Sequence, residues 1–193
     1  FPAYAQDVQK GQVTVPEAIE AGAALLQNPG DGVLSDWDAY ALARAGKQVP
    51  SSYLTSVSAQ LSQNNGQYSA VTGYARVALG VKAAGGNPEQ IVSGASTYNL
   101  IQSIYDHNNL TAQGTNGPIY ALLALDSGTY NIPLAAKWTP DKIVAWLLGQ
   151  QKADGSWPQA AGGAGNIDVT GAAVQALAAH RATNGVQAAI DKA

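Results

Sequence analysis

The chain has 193 residues, of which 46% are hydrophobic and 12% charged, and its formal net charge is −3. That length can form one domain with a sizeable core, and the weak negative charge provides no electrostatic attraction to nucleic acid or anionic membranes. Because the chain contains no cysteine, it forms no disulfide and no thiolate zinc site, and no apolar run approaches the roughly 20 residues of a membrane span.

Two kinds of helical segment alternate along the chain. One kind has an apolar stripe and a polar face, typical of an outer helix, and the other is rich in Ala, Leu and Val on every side, typical of a buried inner helix. In chain order they cover 16–26 (outer), 36–46 (inner), 51–61 (outer), 71–80 (inner), 97–105 (outer), 116–126 (inner), 140–148 (outer), 168–178 (inner) and 186–190 (the start of an outer helix).

Clusters of glycine, asparagine and proline at 28–32, 64–66, 85–88 and 161–165 predict turns between these segments. No alternating strand pattern is present. The sequence therefore predicts an all-α domain over 1–193, built from four helical hairpins and the beginning of a fifth.

The four inner segments share a loose repeat. Aligning Tyr40, Tyr74, Tyr120 and Ala172 superposes their small and apolar positions, with spacings of 34, 46 and 52 residues. The tyrosines either pack between helices or line a central cavity, where their rings and hydroxyl groups would form a binding surface.

Four polar residues interrupt the apolar inner helices: Arg44, Arg76, Asp126 and Gln175. The arginines can extend outward to solvent. If they point into a central pore instead, they need partners such as Asp38 or Asp126, because an unpaired buried charge is costly.

Two carboxylates flank a tryptophan where the first inner helix begins, at Asp36, Trp37 and Asp38. Residues two apart on a helix point in different directions, so these carboxylates are not expected to serve one site. We predict that Asp36 is the N-cap and that Asp38 faces the mouth of a pore. Trp37, Asp38 and Tyr40 then either contribute to a ligand-binding surface or serve only to cap and pack the helix.

Gln151, Gly155 and Trp157 form a Q-x3-G-x-W element, and a degenerate copy covers 63–68. The element resembles the repeat motif of triterpene cyclases, which belong to the α/α-toroid superfamily with the protein prenyltransferases and the cobalamin carriers. The resemblance implies a structural role, in which the glutamine caps a helix end and stacks on a neighbouring tryptophan. A closed toroid of this superfamily has six or sometimes five hairpins. Four hairpins therefore imply an incomplete toroid, truncated or processed at its C-terminus or completed by a second chain.

Asp168 is the candidate for cyclase-like acid chemistry. Class II terpene cyclases protonate an olefin with a D-x-D-D motif, but the corresponding segment here, Ile167–Thr170, holds one carboxylate. The alternative is that Asp168 caps the inner helix and offsets its dipole. His107 and His180 are far apart in the sequence and no metal-ligand spacing is present, so we predict no metal and no cofactor.

The inner segment 167–177 is similar to the V-D-T-G-A-M-A helix of the cobalamin carriers. It is also similar to the D-x-T-x-A-x-x-Q-A-L-A helices of prenyltransferase-like domains in bacterial surface proteins, whose first inner helix resembles 36–46. From the repeat pattern and the absence of catalytic motifs we predict a non-catalytic domain that binds a small molecule or a cell-surface partner. The alternatives are a divergent cyclase or lyase using Asp38, Asp168, tyrosines and His107, and a corrinoid-binding domain.

The chain begins at Phe1 rather than methionine, lacks cysteine and carries few charges. These features suit a processed, exported bacterial protein. We therefore expect an extracellular or cell-surface location.

Overall fold

The computed structural model describes residues 13–28 and 32–193, and this part of the chain is mostly helical. Two short antiparallel hairpins join β1 (Ile91–Ser93) to β2 (Ser96–Tyr98) and β3 (Trp157–Pro158) to β4 (Gly165–Asn166). The helices are α1 (Val15–Gln27), α2 (Asp36–Arg44), α3 (Ser52–Gln63), α4 (Val71–Ala83), α5 (Leu100–Tyr105), α6 (Asn116–Leu125), α7 (Pro140–Gln150), α8 (Ile167–Leu177) and α9 (Val186–Lys192), with a 3-10 turn at Ala178–His180. The predicted turn at 28–32 lies mostly outside the described residues.

The predominance of helix agrees with the predicted class, and the main difference lies at α5. We predicted a helix from residue 97, but α5 begins at Leu100 because 96–98 pair with 91–93 as a hairpin. Ile91 lies opposite Tyr98 in this hairpin. Asn99 then caps α5 by accepting a hydrogen bond from the backbone N–H of Gln102 at 2.8 Å. No helix in the described ranges is long and apolar enough to cross a membrane.

The inner helices form a row in which α2 packs on α4, α4 on α6 and α6 on α8. The outer helices flank this row: α1 contacts α2, α3 contacts α4, α5 contacts α4 and α6, α7 contacts α6, and α9 contacts α8. One core cluster of buried side chains extends through the row, from Ala23 in α1 to Ala189 in α9.

Burial differs between the middle and the ends of the row. Helices α4 and α6 bury residues on every side, as predicted for inner helices. In contrast, α2 buries only Asp36, Ala39 and Leu42, and α8 exposes Asp168 and Gln175. The prediction of all-round burial is therefore wrong for α2 and α8, because each has an inner neighbour on one side only.

A buried hydrogen bond and an ion pair join α2 to α3 and α4 through Asp36. The hydroxyl of Tyr53 donates to Oδ1 of Asp36 at 2.7 Å, and Nε of Arg76 lies 3.3 Å from Oδ2 of the same carboxylate. A Cβ added at Gly80 would lie 2.1 Å from the Tyr53 hydroxyl oxygen, so the tyrosine reaches Asp36 only because residue 80 has no side chain. Burial raises the pKa of Tyr53 well above its ordinary value, and the nearby Asp36 carboxylate makes a smaller contribution in the same direction.

The Q-x3-G-x-W element lies between α7, α9 and the second hairpin. The Gln151 side-chain amide donates to the carbonyls of Gly155 and Ala189, each at 2.8 Å. The second bond satisfies a carbonyl in the last turn of α9, where helices leave acceptors without intrahelical donors. Trp157 is completely buried and donates from Nε1 to the carbonyl of Leu147 at 2.7 Å. Gln151 and Trp157 therefore tie the end of α7 to α9 and to the second hairpin.

Gly155 cannot be replaced without rearrangement. Its φ is +91°, in the left-handed region that favours glycine, and an added Cβ would lie 2.1 Å from the carbonyl oxygen of Lys192. On the other side of the hairpin, Thr170 accepts a hydrogen bond from the backbone N–H of Trp157 at 2.9 Å and donates to the carbonyl of Asn166 at 2.7 Å. This hydroxyl fixes the first turn of α8 against the buried tryptophan.

Candidate functional site

A cleft of about 740 Å³ is lined by residues from all four inner helices. Its volume lies within the range of roughly 300–1,000 Å³ that is typical of small-molecule sites. Its lining residues are Trp37, Tyr40, Ala43 and Arg44 from α2, Leu79, Lys82 and Ala83 from α4, Tyr120 and Leu123 from α6, Asp126 and Ser127 after α6, and Gln175 from α8.

A second cavity of about 400 Å³ adjoins this cleft and shares Trp37 and Tyr120 with it. It is lined by residues at the N-terminal ends of α4 and α6, whereas the C-terminal ends of α2, α4 and α6 reach the larger cleft. The three helices therefore run in the same direction, and the two cavities follow one another along their common face.

Aromatic side chains form one wall of the cleft. The Trp37 ring lies 6.2 Å from the Tyr40 ring in an edge-to-face arrangement and 5.8 Å from the Tyr120 ring at 55°. The contact with Tyr120 links α2 to α6, two helices that each pack on α4. Trp37 is nevertheless 43% exposed. A large aromatic side chain that stays accessible inside a concave site offers a surface for an apolar ligand.

Charged groups also line the cleft. Arg44 is the last residue of α2 and Lys82 lies in the last turn of α4, and neither forms an ion pair with another described residue. The carboxylate of Asp126 is engaged by His180, whose Nε2 lies 2.7 Å from Oδ2. Burial raises the pKa of Asp126, and the hydrogen bond from His180 opposes this effect.

The structure brings three of the predicted site residues together and places three elsewhere. Trp37, Tyr40 and Tyr120 line the cleft. Tyr74 is buried, its ring lies edge-on to Tyr68 at 5.1 Å, and its hydroxyl accepts a hydrogen bond from the backbone N–H of Tyr68 at 3.1 Å. Tyr74 therefore packs between elements and does not face the cleft.

The position of Tyr74 shows that α4 was misaligned with α2. Both helices end at a glycine with positive φ, Gly46 at +71° and Gly85 at +78°. Aligning these two glycines pairs Tyr40 with Leu79, and both residues line the cleft. The helix-ending glycines are thus a better register mark than the tyrosines, and the sequence contained this signal.

Asp36 and Asp38 do not have the roles that the sequence predicted for them. Ser35 is the N-cap of α2, and Asp38 completes a capping box by accepting from the Ser35 backbone N–H at 2.9 Å and the Ser35 hydroxyl at 2.7 Å. Asp36 is instead the buried partner of Tyr53 and Arg76. Asp38 lines neither of the two cavities described above.

Asp168 is not the cap of α8. Asn166 accepts the hydrogen bond from the Val169 N–H at 3.0 Å, and Asp168 is exposed in the first turn, outside the cleft. In this position its negative charge still interacts favourably with the positive end of the helix dipole.

The polar residues that interrupt the inner helices indicate the cavities better than Asp38 and Asp168 do. Arg44, Asp126 and Gln175 line the larger cleft and Arg76 lines the smaller one. Sequence reasoning missed Lys82, because a lysine in the last turn of a helix is also explained by the helix dipole.

His107 lies away from both cavities, and its Nδ1 accepts from the backbone N–H of Asn109 at 3.2 Å. Its ring lies 6.0 Å from that of Tyr74. Burial lowers the pKa of His107. Within the described ranges, no group of three or more histidine, aspartate or glutamate residues is placed to hold a metal ion.

No protein-family model, curated protein or solved structure matches this chain. The geometry of the cleft is therefore the basis for the functional proposal.

Proposed function

We propose that this chain is a non-catalytic ligand-binding domain of the α/α-toroid type, from an exported bacterial protein, that holds a small molecule between its inner helices. The observation that carries the proposal is the aromatic wall of Trp37, Tyr40 and Tyr120, which stays accessible in a cleft of about 740 Å³. The row α2–α4–α6–α8, flanked by outer helices, supports an arrangement of helical hairpins side by side.

Binding is favoured over the cyclase-like or lyase-like alternative by the position of the carboxylates. That alternative needs Asp38 and Asp168 to converge on a deep apolar cavity. Asp38 is occupied in a capping box and Asp168 is exposed on α8, and neither lines the cleft. The carboxylate that does line it, Asp126, is already bonded to His180.

Native mass spectrometry of the protein purified from its own host tests the proposal. We expect a small, removable mass increment on the wild-type chain and none on the double variant Trp37→Ala/Tyr120→Ala. Leu134→Ala is the control, because Leu134 is exposed and lies outside the cleft. A bare wild-type chain, or an increment that survives the double substitution, would contradict the proposal. A mass of two or more polypeptides would instead indicate that another chain completes the toroid.

A further inference from the structure

We propose that the cleft selects organic anions: flat apolar molecules that carry one negatively charged group. This inference rests on the proposed ligand-binding function and specifies the class of ligand. It follows from two sets of lining residues, an aromatic and aliphatic surface and a pair of cations.

The aromatic and aliphatic lining residues determine which apolar part of a ligand the cleft can bind. Trp37 and Tyr120 provide aromatic surface, and Ala43, Leu79 and Leu123 provide aliphatic surface. A flat molecule that covers this surface removes apolar area from water on both sides, and aromatic contacts add specific attraction. Because Trp37 contacts Tyr40 and Tyr120, its ring is held in place before a ligand arrives, which reduces the entropy lost on binding.

The charge of the ligand is defined by Arg44 and Lys82. Both side chains line the cleft, and neither is paired with a carboxylate among the described residues. The carboxylate in the cleft, Asp126, is bonded to His180, so the cations exceed the available negative charge. This excess is local, since the whole chain carries a net charge of −3.

Each cation also lies near a helix C-terminus, where it interacts favourably with the helix dipole. That interaction involves about half an elementary charge and is satisfied without a ligand. It explains why a cation is tolerated there, but not why two cations and an accessible tryptophan share one concave surface. Arg44 and Lys82 are both exposed residues, and a hydrogen bond from either cation to an anion is stronger than one from a neutral donor.

Two fluorescent probes with the same ring system test this inference. N-phenyl-1-naphthylamine is uncharged, and 8-anilinonaphthalene-1-sulfonate adds one sulfonate group. We expect one saturable site for each probe on the wild-type chain, with the sulfonate bound about tenfold more tightly at low salt and the difference shrinking as salt screens the charges. Arg44→Gln/Lys82→Gln should remove this preference and leave the neutral probe unaffected.

The control is Arg181→Gln/Lys192→Gln, which changes the net charge equally at two exposed positions outside the cleft. Circular dichroism and thermal melting establish that each variant is folded, since the sulfonate probe also binds loosely packed states. Equal affinity for both probes, or a preference that survives neutralisation of Arg44 and Lys82, would overturn the inference of an anionic ligand. The proposed binding function itself fails if neither probe saturates one site, or if Trp37→Ala leaves both affinities unchanged.

Discussion

The close approach of Tyr53 to Gly80 predicts a strong energetic coupling between these two positions. A Cβ at residue 80 would lie 2.1 Å from the tyrosine hydroxyl oxygen and 3.1 Å from the carbonyl oxygen of Asp36. Gly80→Ala must therefore displace the hydroxyl and break its 2.7 Å hydrogen bond to Asp36.

The expected magnitudes follow from the two interactions. Loss of a hydrogen bond to a charged group costs about 1.5–3 kcal/mol, and overpacking adds about 1–3 kcal/mol. The better helix propensity of alanine returns about 1 kcal/mol. Gly80→Ala should therefore destabilise the protein by about 1.5–5 kcal/mol. Tyr53→Phe alone should cost about 1.5–3 kcal/mol, because it removes only the hydrogen bond.

In the Tyr53→Phe background the hydroxyl that blocks position 80 is absent. Gly80→Ala should then cost about 2 kcal/mol less than it does in the wild type, as an estimate from the lost hydrogen bond. Urea unfolding followed by circular dichroism measures the four free energies of the cycle. Gly171→Ala is the matched control, because a Cβ at this exposed position of α8 meets nothing within 4 Å. It should stabilise the protein by about 0.5–1 kcal/mol. Costs that add to within about 0.5 kcal/mol would refute the proposed contact.

Three further predictions concern other parts of the fold. Gln151→Ala removes the donor to the carbonyls of Gly155 and Ala189, so amide hydrogen exchange should accelerate in α9. The control Gln187→Ala, at an exposed position of the same helix, should have little effect on exchange. Gly155→Ala should destabilise the protein by about 2 kcal/mol or more, because a left-handed backbone costs alanine roughly 1–2 kcal/mol and the new Cβ also clashes with Lys192. An unchanged midpoint of urea unfolding would disprove this prediction. An NMR titration should show that the pKa of His107 in the folded protein lies below its ordinary value of 6.5. Because the folded-state pKa is lowered, the contribution of His107 to stability is complete above pH 6.5 and is lost as the pH falls through the folded-state pKa.

Helix positions could be predicted from the sequence because the apolar periodicity and the turn residues agree along most of the chain. The exception at 97–99 arose because Thr97 and Tyr98 fit a helical stripe equally well, and only their pairing with β1 decides for a strand. The N-caps were missed although Ser35 and Asp38 have the capping-box spacing. In that case the two aspartates around Trp37 were given more weight than the serine before them.

The cleft could be predicted only in part. Tyr40 and Tyr120 were selected by the alignment of the inner helices, and Trp37 was selected because two carboxylates flank it. Tyr74 was wrongly grouped with them, since a residue's direction depends on helix register, which the tyrosine alignment did not fix. Lys82 could not be distinguished from an ordinary helix-end cation without the position of α4 relative to α2.

The row of inner helices also determines how the molecule should come apart. Helices α4 and α6 each have two inner neighbours, whereas α2 and α8 have one. In such quasi-linear arrays, losing an end unit breaks a single interface, and opening the middle breaks two. Unfolding should therefore start at α1–α2 or α8–α9 and progress inward, with α4 and α6 retaining structure longest.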